Sequence, residues 1–114
     1  MADALVIDMY VATKSFPTEE RFGLQSQLRR AAVSVPTNLV EGSARRSTRD
    51  YLHFVGIAIG SASEARYLVG VARRLGFMAS RDGDHLVMRY GRVIGRSRRW
   101  CPLWPRPEAR GPQP

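Results

Sequence analysis

The clearest pattern of apolar and polar positions lies between residues 23 and 42, in the stretch GLQSQLRRAAVSVPTNLVEG. Apolar side chains recur there at the spacing of one face of an α-helix; they are Leu24, Leu28, Ala31, Ala32, Val35 and Leu39. The pattern predicts a helix from about Glu19 to about Glu41, with Thr18 as its N-cap and Gly42 as its C-terminal glycine. Pro36 predicts a bend near residues 32–35, because proline lacks the amide donor that an inner helical turn needs.

The segments on either side have the same periodicity. Residues 2–14 form a short amphipathic helix that stops before Pro17, since the residue preceding a proline is disfavoured in helical angles. Residues 48–75 form a long helix, for which Ser47 is a suitable N-cap and Gly76 a suitable terminator. The short connections predict that neighbouring helices run antiparallel.

A fourth helix is poorly specified. Apolar residues between positions 86 and 94 allow a helix to about Arg99, after a turn at residues 81–83. Gly91 and Gly95 weaken it, because each glycine costs roughly 1 kcal/mol of helix propensity.

Together these segments predict an all-α fold, an antiparallel up-down-up-down four-helix bundle. The bundle domain is expected to cover residues 1–99, and a proline-rich tail is expected to cover residues 100–114. No apolar run approaches the ~20 residues that cross a bilayer, so no membrane association is expected.

Composition excludes several kinds of site. At 114 residues the chain has room for one domain. Cys101 is its single cysteine, which excludes an internal disulfide and a cysteine-based zinc site, and the spacing of His53 and His85 is not that of metal ligands. No glycine-rich phosphate or dinucleotide fingerprint is present. We therefore expect no metal, no cofactor and a cytoplasmic location.

The chain is basic, with a formal net charge of +8, of which +3 falls in residues 1–76 and +5 in residues 77–114. Every basic residue except Lys14 is arginine. The planar guanidinium of arginine suits phosphates, but it also suits buried pairs with carboxylates. The charge is therefore a weak argument for an anionic partner.

Six arginines are candidates for binding RNA or DNA: Arg29, Arg45, Arg46, Arg49, Arg73 and Arg74. As a binding set they would neutralise phosphates; as a structural set they would form a solvated face. Arg45, Arg46 and Arg49 lie near the start of a predicted helix, where the helix dipole disfavours cations. That placement slightly favours binding, and the two interpretations stay nearly even.

A second polar set lies beside the apolar stripes: Gln27, Arg30, Asn38, Glu41 and Glu64. The favoured interpretation is a structural network, in which a partly buried Arg30 pairs with a glutamate of the neighbouring helix and the two amides complete the hydrogen bonds. The alternative is a hydrolase in which Glu41 and Glu64 work as an acid–base pair, which requires both carboxylates to open into one cleft. Arginine–carboxylate pairs are common without catalysis, so no catalytic residue is assigned.

The segment from Tyr10 to Phe77 also resembles a known family. The matching residues are Phe16, Pro17, Gly23, Leu24, Gln27, Arg29, Arg30, Ala31, Ala32, Ser34, Val35, Pro36, Asn38, Glu41, Gly42, Arg45, Tyr51, Phe54, Ala58, Gly60, Ser61 and Glu64. They resemble the small bacterial four-helix bundle proteins encoded in intervening sequences of large-subunit ribosomal RNA genes. The accessory protein of diversity-generating retroelements is a relative of that family.

The resemblance implies a bundle that assembles as a pentamer around a central channel, without catalytic activity. For the retroelement relative it implies a basic surface that contacts nucleic acid and reverse transcriptase. The family's fourth helix is a leucine-rich segment, whereas residues 80–114 here are rich in arginine, glycine and proline.

The sequence as a whole favours a non-catalytic, self-associating bundle. The first hypothesis is a nucleic-acid-binding or ribonucleoprotein accessory module, and the alternative is a scaffold that binds another protein. Self-association is expected because a bundle with a weak fourth helix leaves apolar surface on its first and third helices.

Overall fold

The computed structural model describes residues 2–100, with side chains as far as residue 97. Four α-helices follow one another along the chain: α1 Ala2–Thr13, α2 Leu24–Ser43, α3 Thr48–Arg74 and α4 Ser80–Trp100. Each helix packs against the next, and α1 also packs against α4, which closes the bundle. Among the described residues there is no strand. The predicted all-α four-helix bundle is confirmed, and its assembly into a ring stays a prediction.

One apolar core receives side chains from all four helices. Leu5 and Met9 come from α1, Leu28 from α2, Ile59 from α3 and Leu86 from α4. The parts of α2 and α3 that face the core are rich in alanine; the buried alanines are Ala31, Ala32, Ala58, Ala62, Ala65 and Ala72. Side chains this small let the two helix backbones lie close together, which is why α2 and α3 form the most extensive pair of the bundle.

The start of α2 differs from the prediction. Residues Thr18–Glu20 form a single 3-10 turn, and the α-helix begins only at Leu24, because Gly23 adopts φ −107° and ψ −114°, outside the helical region. Thr18 caps nothing with its side chain. Glu20 does so instead: its Oε2 accepts a hydrogen bond from the Leu24 amide at 3.0 Å. A carboxylate therefore satisfies one of the free amides at the start of α2.

The end of α2 also differs. The helix continues through Pro36 to Ser43, and Gly42 lies inside its last turn instead of ending it. Gly42 is buried, and a Cβ placed there would lie 3.1 Å from the Cβ of Phe54 on α3. The glycine is thus explained by the close approach of two helices. The predicted bend before Pro36 stays a prediction.

Both ends of α3 confirm the sequence signals. Ser47 Oγ accepts a hydrogen bond from the Asp50 amide at 3.1 Å, as an N-cap does. At the other end Gly76 has φ +79°, and the Phe77 amide donates to the Ala72 carbonyl at 3.0 Å. This is a Schellman motif, in which glycine takes the left-handed position at low steric cost.

The fourth helix is longer than predicted. It starts at Ser80, so residues 81–83, predicted as a turn, form its first turn. Its apolar side chains, including Leu86, Tyr90 and Val93, are buried in the core. Helix formation in proteins is driven mainly by packing of an apolar face, which here outweighs the propensity cost of the glycines.

The predicted domain limits, residues 1–99 and 100–114, stay predictions, since residues 101–114 lie outside the described part. None of the helices in the described part is long and apolar enough to cross a membrane.

Candidate nucleic-acid interface

The structure does not bring the six predicted arginines together. Arg45, Arg46 and Arg49 lie at the connection between α2 and α3, whereas Arg73 and Arg74 lie at the opposite end of α3. The 27 residues of α3 make it about 40 Å long. The predicted set is therefore divided between two ends of the bundle.

Arg29, the sixth member, is committed to the fold. Its Nε donates to Thr13 Oγ1 at 2.9 Å, and an Nη donates to the Tyr10 carbonyl at 3.3 Å. Its guanidinium also lies 4.5 Å from the centroid of the Tyr10 ring. Since α1 has no basic residue in its own last turn, Arg29 supplies from α2 the cation that favours a helix C-terminus.

The cluster at the α2–α3 connection is partly engaged. Arg45 forms an ion pair with Glu41 at 2.9 Å and lies 4.8 Å from the centroid of the Phe54 ring. Arg46 and Arg49 are exposed. We call Arg45, Arg46 and Arg49 the end cluster.

The predicted polar network is divided into separate contacts. Gln27 Nε2 donates to Glu64 Oε1 at 3.2 Å, which links α2 to α3. Farther along the same interface, Asn38 Nδ2 donates to Ser34 Oγ at 2.9 Å, and Ser34 Oγ lies 2.7 Å from Ser61 Oγ. Two serines that the prediction omitted therefore complete the link that Asn38 begins.

Arg30 and Glu41 do not join this network. Arg30 was predicted to be partly buried, but it is exposed and forms no hydrogen bond or ion pair with the described residues. It follows the buried Leu28 by two positions, about 200° around the helix, and so it points away from the core. Glu41 pairs with Arg45 on its own helix.

The glutamates of the hydrolase hypothesis do not converge. Glu64 is level with Gln27, and Gln27 lies roughly 21 Å from Glu41 along α2 at ~1.5 Å per residue. Both carboxylates are exposed. This pair has no common cleft in which to act on one substrate.

Arginines from two helices line a groove between α3 and α4. Two adjoining pockets of about 550 and 460 Å³ share Arg66 and Val87 as lining residues. Their five arginines are Arg66, Arg73, Arg74, Arg92 and Arg96. No aspartate or glutamate is among the described residues that line either pocket. We call this surface the α3–α4 groove.

Glycines along the α3–α4 groove leave the helix backbone uncovered by side chains. A Cβ placed at Gly70 or Gly95 would meet nothing within 4 Å, and one at Gly91 would lie 3.8 Å from the guanidinium of Arg66. Arg73 is held at one end of the groove by an ion pair with Asp84. Open backbone between arginine side chains lets an extended anion approach closely.

Sequence reasoning missed Arg66, Arg92 and Arg96. A signal existed, because Arg66 and Arg73 are seven residues apart and Arg92 and Arg96 are four apart, spacings that place each pair on one helix face. The spacing within each helix does not predict that the arginine face of α3 lies next to the arginine face of α4.

Three comparisons relate this chain to other proteins. A family model described as 23S rRNA-intervening sequence protein matches residues 1–96. No curated protein matches the sequence. Among solved structures, the chain is similar to a Bacteroides thetaiotaomicron protein of unknown function from the S23 ribosomal protein family, with 16% identity and a TM-score of 0.74. The match covers 90% of this chain and 92% of that one. At this identity the likeness shows a shared fold alone.

Proposed function

We propose that this chain, which belongs to the 23S rRNA-intervening sequence protein family, is a non-catalytic cytoplasmic module that binds nucleic acid as an accessory component of a ribonucleoprotein. The observation that carries the proposal is the α3–α4 groove, whose described lining has five arginines and no acidic side chain. Two of the six predicted arginines, Arg73 and Arg74, line the groove, together with Arg92 and Arg96 from the facing helix α4.

The groove has the length and charge that a phosphate backbone needs. Arg66 lies beside Gly91, so the surface from Arg74 to the level of Arg96 extends over roughly 20 Å at ~1.5 Å per residue. Each phosphate that an arginine neutralises releases condensed counterions, which makes binding steeply dependent on salt. Arginine is suited to this task because its guanidinium offers paired donors to phosphate oxygens.

The test compares two charge-matched triple variants. The groove variant changes Arg66, Arg74 and Arg92 to glutamine, and the end-cluster variant changes Arg45, Arg46 and Arg49 to glutamine. Each triple variant lowers the formal charge of +8 by three. We expect the groove variant to bind a structured RNA about 10- to 100-fold more weakly at ~0.1 M salt, with a salt slope flattened by about 2. Filter binding at several salt concentrations, with co-purified nucleic acid removed, measures both.

The end-cluster variant decides where the anion binds. A small loss in this variant beside a large loss in the groove variant supports the α3–α4 groove. Equal losses of RNA affinity would show that only the overall charge matters. A larger loss in the end-cluster variant would place the binding site at the α2–α3 connection. If the wild-type protein fails to bind RNA and DNA even at low salt, the scaffold alternative replaces this proposal.

We further propose that the protein self-associates, with a pentamer as the expected state. The sequence predicts that a weak fourth helix leaves apolar surface on α1 and α3, but α4 is a full helix whose apolar side chains cover the core. Apolar side chains are nevertheless exposed on α1 and beside α2: Ile7, Val11 and Phe22, the last 91% exposed. Ile7 and Val11 are one turn apart on α1, and adjacent exposed apolar groups favour burial by a neighbouring copy.

Self-association has a direct test. Sedimentation equilibrium at micromolar concentration is expected to give a multiple of the 12.8 kDa chain mass. Changing Ile7 and Phe22 to serine should lower the mass, whereas the same change at the exposed Leu75, at the far end of α3, should leave it unchanged. A wild-type protein that is strictly monomeric would contradict the proposal.

A further inference from the structure

The α3–α4 groove contains one exposed aromatic ring. Tyr67 lines the larger pocket together with Arg66, Arg73 and Arg74, and it is 66% exposed. Two of its neighbours one turn away on α3, Ser63 and Gly70, are too small to cover the ring. With about two thirds of its surface exposed, the ring contributes little to the core.

Tyr67 differs from the other exposed aromatic rings in the described part of the chain. Tyr10 is covered on one side by the guanidinium of Arg29, at 4.5 Å from the ring centroid. Phe22 has Arg21 at 5.8 Å. Tyr67 has no ring or cation contact with the described residues. Its π-face is therefore available to a ligand.

The chemistry of this surface fits an unpaired nucleotide. Aromatic side chains bind single-stranded nucleic acid by stacking on bases, while flanking cations hold the phosphates. The pocket of about 550 Å³ lies within the roughly 300–1,000 Å³ range of small-ligand sites, large enough for a base to lie against the ring. A fully paired duplex keeps its bases stacked on one another and offers the ring none.

We infer that Tyr67 is a stacking platform for an unpaired base, so that the α3–α4 groove binds single-stranded or looped nucleic acid in preference to a duplex. This inference rests on the proposed function, since it assigns the class of ligand to the same groove. The arginines supply the salt-dependent attraction to phosphates, and Tyr67 supplies the discrimination between unpaired and paired bases.

The experiment uses a short RNA with 2-aminopurine at its centre, tested as a single strand and as a duplex with its complement. The wild-type protein is expected to quench the fluorescence of the single strand and to bind it at least tenfold more tightly than the duplex. Tyr67→Ala should weaken single-strand binding by about tenfold, within a range of roughly 5- to 150-fold, and abolish the quenching. The salt slope should not change, because no phosphate contact is removed.

Two control variants separate stacking from other effects. Tyr67→Phe keeps the π-face and should bind like the wild type; a loss equal to that of Tyr67→Ala would assign the contact to the hydroxyl and overturn stacking. Leu75→Ala removes an exposed apolar side chain that lines neither pocket of the groove and should leave affinity unchanged; an equal loss there would also overturn the assignment.

The failure of this inference is distinguishable from failure of the proposed function. If the groove triple variant loses RNA affinity while Tyr67→Ala binds single strand and duplex as the wild type does, the groove holds phosphates without stacking, and only the inference is overturned. If the groove triple variant also binds normally, both are overturned.

Discussion

Leu28→Ala is expected to lower the free energy of unfolding by about 3 kcal/mol, the largest effect of any single truncation in α2. Leu28 is 0% exposed in the core between α2 and its neighbours. Removing its outer methyl groups forfeits their transfer from water and leaves a void. The surrounding core is rich in alanines such as Ala32 and Ala62, which have no rotamers that swing into the space. The void should therefore persist instead of collapsing.

The matched control is the same truncation at Leu75, which is 57% exposed at the end of α3. Leu75→Ala should change stability by less than about 0.5 kcal/mol. Urea unfolding followed by circular dichroism measures both variants at one protein concentration, since self-association adds to apparent stability. For a domain of this size, the loss at Leu28 corresponds to a fall in Tm of roughly 12–24 °C. Equal effects at the two positions would show that Leu28 is not in the core.

Tyr90→Phe is expected to stabilise the protein, by about 1 kcal/mol at neutral pH. The Tyr90 side chain is 1% exposed, and its hydroxyl has no hydrogen-bond partner among the described residues. A buried hydroxyl in that position loses its contacts with water and regains none. Phenylalanine fills nearly the same volume without the polar atom, so the packing against the core is retained.

The same hydroxyl makes stability fall at alkaline pH. Burial raises the pKa of Tyr90 from 10.0 to about 12; the charge of Arg89 acts in the opposite direction, and that of Asp8 raises it further. The unfolded chain therefore loses this proton at lower pH than the folded protein does. Below pH 10 both states keep the proton of Tyr90, and the free energy of unfolding does not depend on it. As the pH rises from 10 toward 12, the unfolded chain loses the proton first, and the free energy of unfolding falls by about 2–3 kcal/mol.

Denaturant unfolding of wild type and Tyr90→Phe between pH 8 and 11.5 measures both effects. The stability difference should widen in favour of the variant above pH 10, because phenylalanine has no proton to lose. A variant less stable than the wild type at neutral pH would show that the hydroxyl of Tyr90 finds a hydrogen-bond partner after all.

Several local features of the fold were predictable because their causes are local. The cap at Ser47 needs only the amide three residues later, and the stop at Gly76 needs only a residue that tolerates positive φ. Gly42 is the instructive failure. By sequence it is a helix terminator, but in the structure it is a contact surface for Phe54, a residue of another helix.

The candidate site was predictable only in part. Gln27 of the predicted network does reach Glu64 on α3. Arg30 does not, because it lies about 200° around the helix from the buried Leu28 and faces solvent. Arg73 and Arg74 lie in the α3–α4 groove as part of a set whose other members, including Arg66, were missed. The family resemblance is confirmed by the match over residues 1–96, but it did not identify the groove.

The sequence by itself determined that the chain forms helices, where most of them end and which face of each enters the core. Those properties depend on interactions within about one turn of helix, and they are written in the spacing of apolar residues. Only the tertiary structure decided that Arg66 on α3 lies beside Gly91 on α4, and that Tyr67 is left open beside them. Such neighbours depend on the rotation and axial offset of one packed helix relative to another, which no spacing within a single helix contains.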